Sequence, residues 1–482
     1  MKGVRAVRRV VALALLAAAV IVVPAGSATP VSAACTLCAG GEFHPVTPKR
    51  IYDTRAAELN GGVGPINDLG PFVGLGKPMT TADPTFEVDL YGIGNASYVN
   101  PWLPAGVASS DVLAVVASIT VVNPFQDGNL GVYAAGSPSL NSVINFKAGK
   151  TTSNLAVLRP DGSGRLTVRL HGVGDGSAHI LIDVFGWFST STYTAGTPGD
   201  ETDERGARLV PIEPRRLVDT RPTGSLGPDS EVPLRIRGAV AADGSGLVVP
   251  DSPNVVGAVL NLTVIKPTAS GYVSVVPDGV QAGVPPTTSN ANTTPGLVKG
   301  TLVFAPVGAD GFVHIFNKNG NTNIAVDVMG YLVKGEPEAT RAGRVVPLSS
   351  PFRAFDTRQA GFGSVPLGPA QAEDWSFAAF SNSVNIDGIG VGNQSAFIGN
   401  LTNAGLTRQF PTVGVEPSFL TVYPTPASAG APPLISNLNS LETGPVPNLA
   451  LVSYGANQTI RVYNAKGYAH YIFDISAVVL KD

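Results

Sequence analysis

One eight-residue phrase occurs three times along the chain, as Pro48-Lys49-Arg50-Ile51-Tyr52-Asp53-Thr54-Arg55, Pro214-Arg215-Arg216-Leu217-Val218-Asp219-Thr220-Arg221 and Pro351-Phe352-Arg353-Ala354-Phe355-Asp356-Thr357-Arg358. The common frame is P-x-R-x-x-D-T-R, and each copy opens a block of strand-like runs and glycine-rich turns. Further landmarks follow in one order. An apolar run carries Ser118-Ile119-Thr120, Asn261-Leu262-Thr263 or Asn400-Leu401-Thr402; then come the pairs Ser142 and Asn145, Ser289 and Asn292, Ser436 and Asn439; a closing strand holds Asp183, Asp327 or Asp474. The blocks recur at intervals on the order of 150 residues, the length of whole domains rather than of solenoid or propeller-blade repeats.

Glycine and proline are abundant, 56 and 40 residues, beside many valines and threonines. That combination reads as short strands joined by tight turns, and no stretch sustains a 3.6-residue apolar period. The expected fold is all-β: three tandem antiparallel β-sandwich domains, jelly-roll-like, with roughly eight strands each. The alternative is a single β-propeller in which each repeat supplies two four-stranded blades. The expected layout is a signal peptide over 1–34, a short cysteine-containing segment over 35–42, and sandwich repeats over 43–188, 208–332 and 344–482. Polar, turn-prone linkers are expected over 189–207 and 333–343.

The first 34 residues have a basic start, an apolar run from Val10 to Val23 and small residues ending at Ala34, the three parts of a secretory signal. The apolar run is short for a membrane span, so no transmembrane segment is expected in the mature chain. In an exported chain, Cys35-Thr36-Leu37-Cys38 reads as one small disulfide loop rather than a redox centre, because no helical pattern follows to lower a thiol pKa. Lipidation of Cys35 is the less favoured reading, since Ser32 stands where lipoprotein signals place an aliphatic residue. The formal net charge is −3, and the leader holds Lys2, Arg5, Arg8 and Arg9 without an acid, so the mature chain is more acidic still. Such a chain lacks the basic footprint of a nucleic-acid binder.

Little in the sequence carries catalytic chemistry. The histidines His44, His171, His179, His314 and His470 fall in no metal spacing, and neither H-E-x-x-H nor G-x-S-x-G occurs. No catalytic residue, cofactor or metal is therefore expected. Asp53 with Arg55, Asp219 with Arg221, and Asp356 with Arg358 could bind an anionic or sugar ligand. Identical placement in three divergent repeats favours a structural strut instead, with Asp183, Asp327 and Asp474 as partners and Arg221 mostly buried. The Ser–Asn pairs read as braces for turns. The first repeat differs in its long 56–85 loop and in Tyr98 and Trp102, which crowd a proline-rich stretch and mark a candidate ligand loop, although loop aromatics more often cap their own core.

The D-T-R opening, the N-[LV]-T strand and the D-V-x-G-[YW] close, seen as Asp183-Val184-Phe185-Gly186-Trp187 and Asp327-Val328-Met329-Gly330-Tyr331, resemble a β-rich repeat common in secreted proteins of actinobacteria. The third repeat departs from it, with Asp474-Ile475-Ser476-Ala477-Val478. The resemblance implies a secreted, surface-associated accessory module and no catalytic residue. The function expected is an exported non-catalytic protein for surface adhesion or for binding a cell-wall polymer or surface glycan. The alternative is a secreted hydrolase with its site at a domain junction or in the 56–85 loop. The sequence leaves the oligomeric state open.

Overall fold

The structure is a computed structural model and describes residues 40–67, 79–80, 85–92, 101–137, 139, 141–171, 177–191, 193, 206–281, 283–334, 340–377, 385–386, 389–390, 394–428, 430–441 and 444–481. The first repeat contains β1 (Phe43–Asp53), β2 (Met79–Thr80), β3 (Thr85–Asp89), β4 (Val112–Val122), β5 (Gly128–Ala134), β6 (Ile144–Phe146), β7 (Thr152–Leu158), β8 (Arg165–His171) and β9 (Ser177–Ser189). The second contains β10 (Arg208–Asp219), β11 (Ser230–Arg235), β12 (Val255–Ile265), β13 (Gly271–Val276), β14 (Ala291–Thr293), β15 (Val298–Pro306), β16 (Phe312–Asn317) and β17 (Asn323–Val333). The third contains β18 (Val345–Asp356), β19 (Gln371–Ser376), β20 (Asn385–Ile386), β21 (Ile389–Gly390), β22 (Gln394–Thr407), β23 (Ser418–Pro424), β24 (Leu438–Ser440), β25 (Val446–Ser453), β26 (Thr459–Asn464) and β27 (Tyr468–Leu480). The protein is all-β, with no α-helix among the described residues. The expected signal peptide, Cys35, Cys38 and Tyr98 lie outside them.

Each repeat supplies two four-stranded sheets, and all pairings are antiparallel. The orders are β1-β9-β4-β7 with β3-β8-β5-β6, β10-β17-β12-β15 with β11-β16-β13-β14, and β18-β27-β22-β25 with β19-β26-β23-β24. Strand β2 adds to β9, and β20 pairs with β21. The six sheets are grouped around one axis in a propeller-like outline, that of the alternative drawn from the sequence. Within a repeat, however, consecutive strands alternate between the two sheets for much of the chain, and both sheets close over one cluster of buried side chains.

The two kinds of sheet have different sequence patterns because they bury different numbers of faces. Strand β8 alternates strictly: Leu166, Val168 and Leu170 are buried while Arg165 and His171 are exposed. That is the mark of a sheet with one wet face. Strand β12 is apolar almost throughout. Ala258, Leu260, Leu262 and Val264 point into the second repeat's own core, and Val259 joins a central cluster with residues of the other repeats. In β4, Val115 and Ile119 serve the first repeat's core while Ala114 and Val116 join that same central cluster. In β22, Phe397 and Leu401 face inward to the third repeat while Ala396 and Ile398 reach the centre. Three inner sheets thus pack on one another and three outer sheets cover them.

The edge strands β7, β15 and β25 meet around a pseudo-threefold axis. Contacts run cyclically. Phe304 of β15 packs on Phe43 of β1, ring centroids 5.2 Å apart. Asn154 of β7 donates to Asn400 of β22 (2.9 Å), and Asn448 of β25 donates to Asn261 of β12 (3.0 Å). At one end of the axis, the starts of the three first strands hydrogen-bond to each other. Phe43 exchanges backbone bonds with Ala207, Val345 exchanges them with Gly41, and the Leu209 N–H donates to the Gly343 carbonyl. Gly41, Ala207 and Gly343 were expected in connecting segments, and here they knit the repeats together. Between them Glu42, Arg208 and Arg344 occupy equivalent places. Arg208 Nε lies 3.0 Å and Arg344 Nε 3.6 Å from Glu42 Oε1, with the side chains only 12, 3 and 11 % exposed.

A shared centre couples the repeats energetically. Truncating Phe304 to alanine removes a ring held between Phe43 and Phe188 of the first repeat. The loss expected is about 3–5 kcal/mol. Calorimetry should show one cooperative transition, shifted as a whole. Separate transitions, with only that of the second repeat shifted, would contradict the shared centre.

Candidate functional site

The repeated phrase builds the same cluster three times, and the inter-strand register explains it. Arg50 lies opposite Asp183, Arg216 opposite Asp327 and Arg353 opposite Asp474. Each guanidinium therefore reaches the closing-strand carboxylate in a two-point bond: 2.8 and 2.9 Å in the first repeat, 2.5 and 3.3 Å in the second, 2.8 and 3.0 Å in the third. The planar donor fork matches the carboxylate, which makes arginine the fitting residue. The same arginine also touches Asp53, Asp219 or Asp356 at 3.5, 3.0 and 3.5 Å. Those carboxylates in turn hold Arg55, Arg221 and Arg358. Burial pushes the Asp327 and Asp474 carboxyls up, while the facing guanidiniums pull them down.

This corrects one expectation. The partner of the closing-strand aspartate is the first arginine of the phrase, not the last, and Arg221 is 58 % exposed instead of buried. The reason is geometric: the first strand ends at Asp219, so Arg221 lies beyond the ladder and folds back on the carboxylate two residues earlier. The threonine between them is buried in all three repeats. Thr54, Thr220 and Thr357 accept the backbone N–H of Ile180, Ile324 and Tyr471 at 3.0, 2.9 and 2.9 Å. Their hydroxyls also meet His179, Asn323 and His470. Burial lowers the pKa of both histidines. Each residue of D-T-R thus has a local structural bond in all three repeats.

The motif glycine has a similar origin. A Cβ on Gly186 would stand 2.4 Å from the Phe43 ring, and one on Gly330 2.8 Å from the Val210 carbonyl oxygen and 3.1 Å from Leu451 of the third repeat. The glycine permits close approach at the axis, and Ala477 fills the place in the third repeat at 0 % exposure.

In the candidate ligand loop of the first repeat, the ligand reading of Trp102 is corrected, while Tyr98 lies outside the described residues. Trp102 is buried, its indole N–H donating to the Leu90 carbonyl at 2.6 Å beside Tyr91. It closes its own core and offers no stacking face. A hollow at the junction of the first and third repeats, lined by Arg159, Asn400 and Asp474 among others, encloses about 30 Å³, room for one water. The carboxylate there, Asp474, is bound to Arg353.

A larger cavity, of about 260 Å³, is lined by all three repeats at the axis. Asn145, Asn292 and Asn439, one from each repeat, line it with Lys147, Lys150 and Lys299. Asn145 and Asn439 donate to the hydroxyls of Ser142 and Ser436 at 3.1 and 3.0 Å, as turn braces, and Asn292 donates to Ser153 across the repeat boundary at 3.2 Å. Lys147 is paired with Asp127 at 2.6 Å. Lys299 is only 9 % exposed, and its ammonium donates to Thr152 Oγ1 (2.9 Å) and to the Ser153 carbonyl (2.5 Å). Burial lowers its pKa to about 8. No carboxylate lines the cavity among the described residues, and among them no cluster of His, Cys, Asp or Glu could hold a metal ion. Sequence reasoning assigned the Ser–Asn pairs to turns and missed that their asparagines converge, because convergence needs the repeats to close on one another.

No protein-family model and no curated protein matches the chain. Two solved structures from virus work are similar to it over most of its length. One, described as the triple jelly roll fold and turret assembly in an archaeal virus, is 8% identical and covers 89% of this chain and 96% of its own, with a TM-score of 0.15. The other, of Sulfolobus Turreted Icosahedral Virus, is 10% identical over 90% of this chain and 99% of its own, also with a TM-score of 0.15. At that score neither likeness carries an argument.

The cluster makes two arginines of one phrase unequal. Arg216→Ala leaves the buried Asp327 uncompensated and should cost about 3–5 kcal/mol, whereas Arg221→Ala should cost under about 1 kcal/mol; urea midpoints separate the two. The hydrogen bond from Arg221 holds the Asp219 carboxyl down to about 2. A lowered folded pKa gives stability present above the ordinary carboxylate value of about 4 and lost as pH falls toward 2. In Arg221→Ala the Asp219 resonance should titrate closer to the ordinary value, and the stability gap from the parent should close in acid.

Proposed function

We propose that the protein is an exported, non-catalytic surface module of three tandem jelly-roll sandwiches that binds a cell-wall polymer or surface glycan. The jelly-roll reading is supported by strand order. Numbering the eight main strands of a repeat in sequence, the sheets run 1-8-3-6 and 2-7-4-5, in each of three repeats. The binding reading rests chiefly on one observation: the repeated acids and arginines are consumed by the fold, while the roomy axial cavity presents amide and ammonium donors. A hydrolase acting on a glycan needs a pair of carboxyl groups across the bond to be cut, and the described lining of that cavity has none. The leader-like N-terminus and the resemblance to secreted actinobacterial repeats support export to the cell surface. No helix among the described residues is long and apolar enough to cross a membrane.

Retention on isolated cell walls, purified wall polysaccharides and a glycan array tests the reading. Selective, saturable retention is expected, with no release of soluble fragments from the polymer. Absence of retention on every surface would leave only a spacer role, and steady fragment release by the pure protein would make it a hydrolase.

A further inference from the structure

We propose that the axial cavity is an oxyanion site, taking the carboxylate or phosphate group of a ligand between the buried ammonium of Lys299 and the exposed ammonium of Lys150. The inference deepens the binding reading and rests on it for the ligand's source, an acidic wall polymer or an acidic glycan. Charge imbalance is the first argument. Three lysines line the cavity, and one, Lys147, has a carboxylate partner. Lys299 is buried with no carboxylate among the described residues beside it, in a medium where an uncompensated ammonium is costly.

The second argument is that the fold does not require the lysine. Lys299 pairs with Val264 in the strand ladder; the matching positions in the other repeats, opposite Val121 and Asn403, hold Thr152 and Val446. Neutral side chains suffice there to build the same sheet. Hydrogen bonding is the third. Two of the three protons on Lys299 Nζ have acceptors, Thr152 Oγ1 and the Ser153 carbonyl, leaving one for a ligand. The amide groups of Asn145, Asn292 and Asn439 each spend one of two protons on a serine hydroxyl, so donors remain from all three repeats. The volume suits a phosphate group or one acidic sugar residue.

The site has a built-in pH dependence. The charged groups around Lys299 are Lys147 and Lys150, from the turn between β6 and β7; β14, β15, β24 and β25 bring no other charged side chain to the described lining. Lys299 is held near a pKa of about 8 by burial. It is charged below that value and neutral above it, so affinity for an anion should rise as pH falls through that point. A bound anion should in turn raise the lysine's pKa.

Isothermal titration of the full chain with inorganic phosphate, with glucuronate and with neutral glucose tests the site. Measured at about pH 6.5 and about pH 9.5, anion affinity should fall roughly tenfold or more at the higher pH, and glucose should give no heat. Binding of phosphate alone would point to a phosphate-bearing ligand, and of glucuronate alone to a carboxylate-bearing one. Lys150→Ala, an exposed change, should weaken binding several-fold at unchanged Tm, and Lys299→Met should remove the pH dependence. Should Lys299→Met fail to fold, the Lys299 side-chain resonances of the parent protein serve instead, with an upward pKa shift on adding phosphate expected. Equal binding by parent and Lys150→Ala, a Lys299 titration unmoved by phosphate, or glucose binding as well as the anions would overturn the proposal. Wall retention persisting without any anion binding would remove the axial site and leave the binding module. Anion binding without wall retention would do the reverse.

Discussion

Because β12 turns Leu260 and Leu262 toward its own repeat and Val259 toward the other two, the inner sheet of the second repeat is covered on both sides. The same double burial holds for β4 and β22. Each fully buried aliphatic side chain stabilises by about 1.5–3 kcal/mol relative to exposure, so a repeat alone would leave an apolar sheet in water. Its neighbours supply the missing cover. The cavity, the asparagine contacts and the backbone bonds between first strands all follow from this mutual covering.

Much of the outline was legible in the residues. The alternation of Leu166, Val168 and Leu170 with polar neighbours marks a half-buried strand, and the glycine- and proline-rich turns mark an all-β chain. The strut reading of D-T-R also follows from its repetition, but its wiring does not. Arg55, Arg221 and Arg358 look like natural partners for the closing-strand aspartates until the register is known. Register then sets Arg50, Arg216 and Arg353 across from them. Side-chain reach within a strand can be read locally; which residue faces it from 110 or more positions away depends on the turns and bulges between.

The axial site was illegible for a related reason. Asn145, Asn292 and Asn439 are distant in sequence, and Asn145 and Asn439 donate to serines three residues away, so nothing near each one hints at the others. One signal was present: the long apolar runs at Val112–Val122 and Val255–Ile265 are too continuous for sheets with one wet face. Tested against a two-layer sandwich, such runs call for a second apolar partner, which another repeat provides. Trp102 shows the opposite error, a conspicuous aromatic that proves to be a plug with its N–H tied to Leu90.

Glu42, Arg208 and Arg344 occupy one position counted three times around the axis. Three identical chains related by strict threefold symmetry would put three acids or three guanidiniums within a few ångströms of each other there, a repulsion that burial would amplify. Joining the units in one polypeptide lifts that restriction, since each seat can hold a different residue. One glutamate among two arginines thereby fixes the composition of the ring: a chain carrying an arginine in the place of Glu42 would close three guanidiniums on one another with no acid between them.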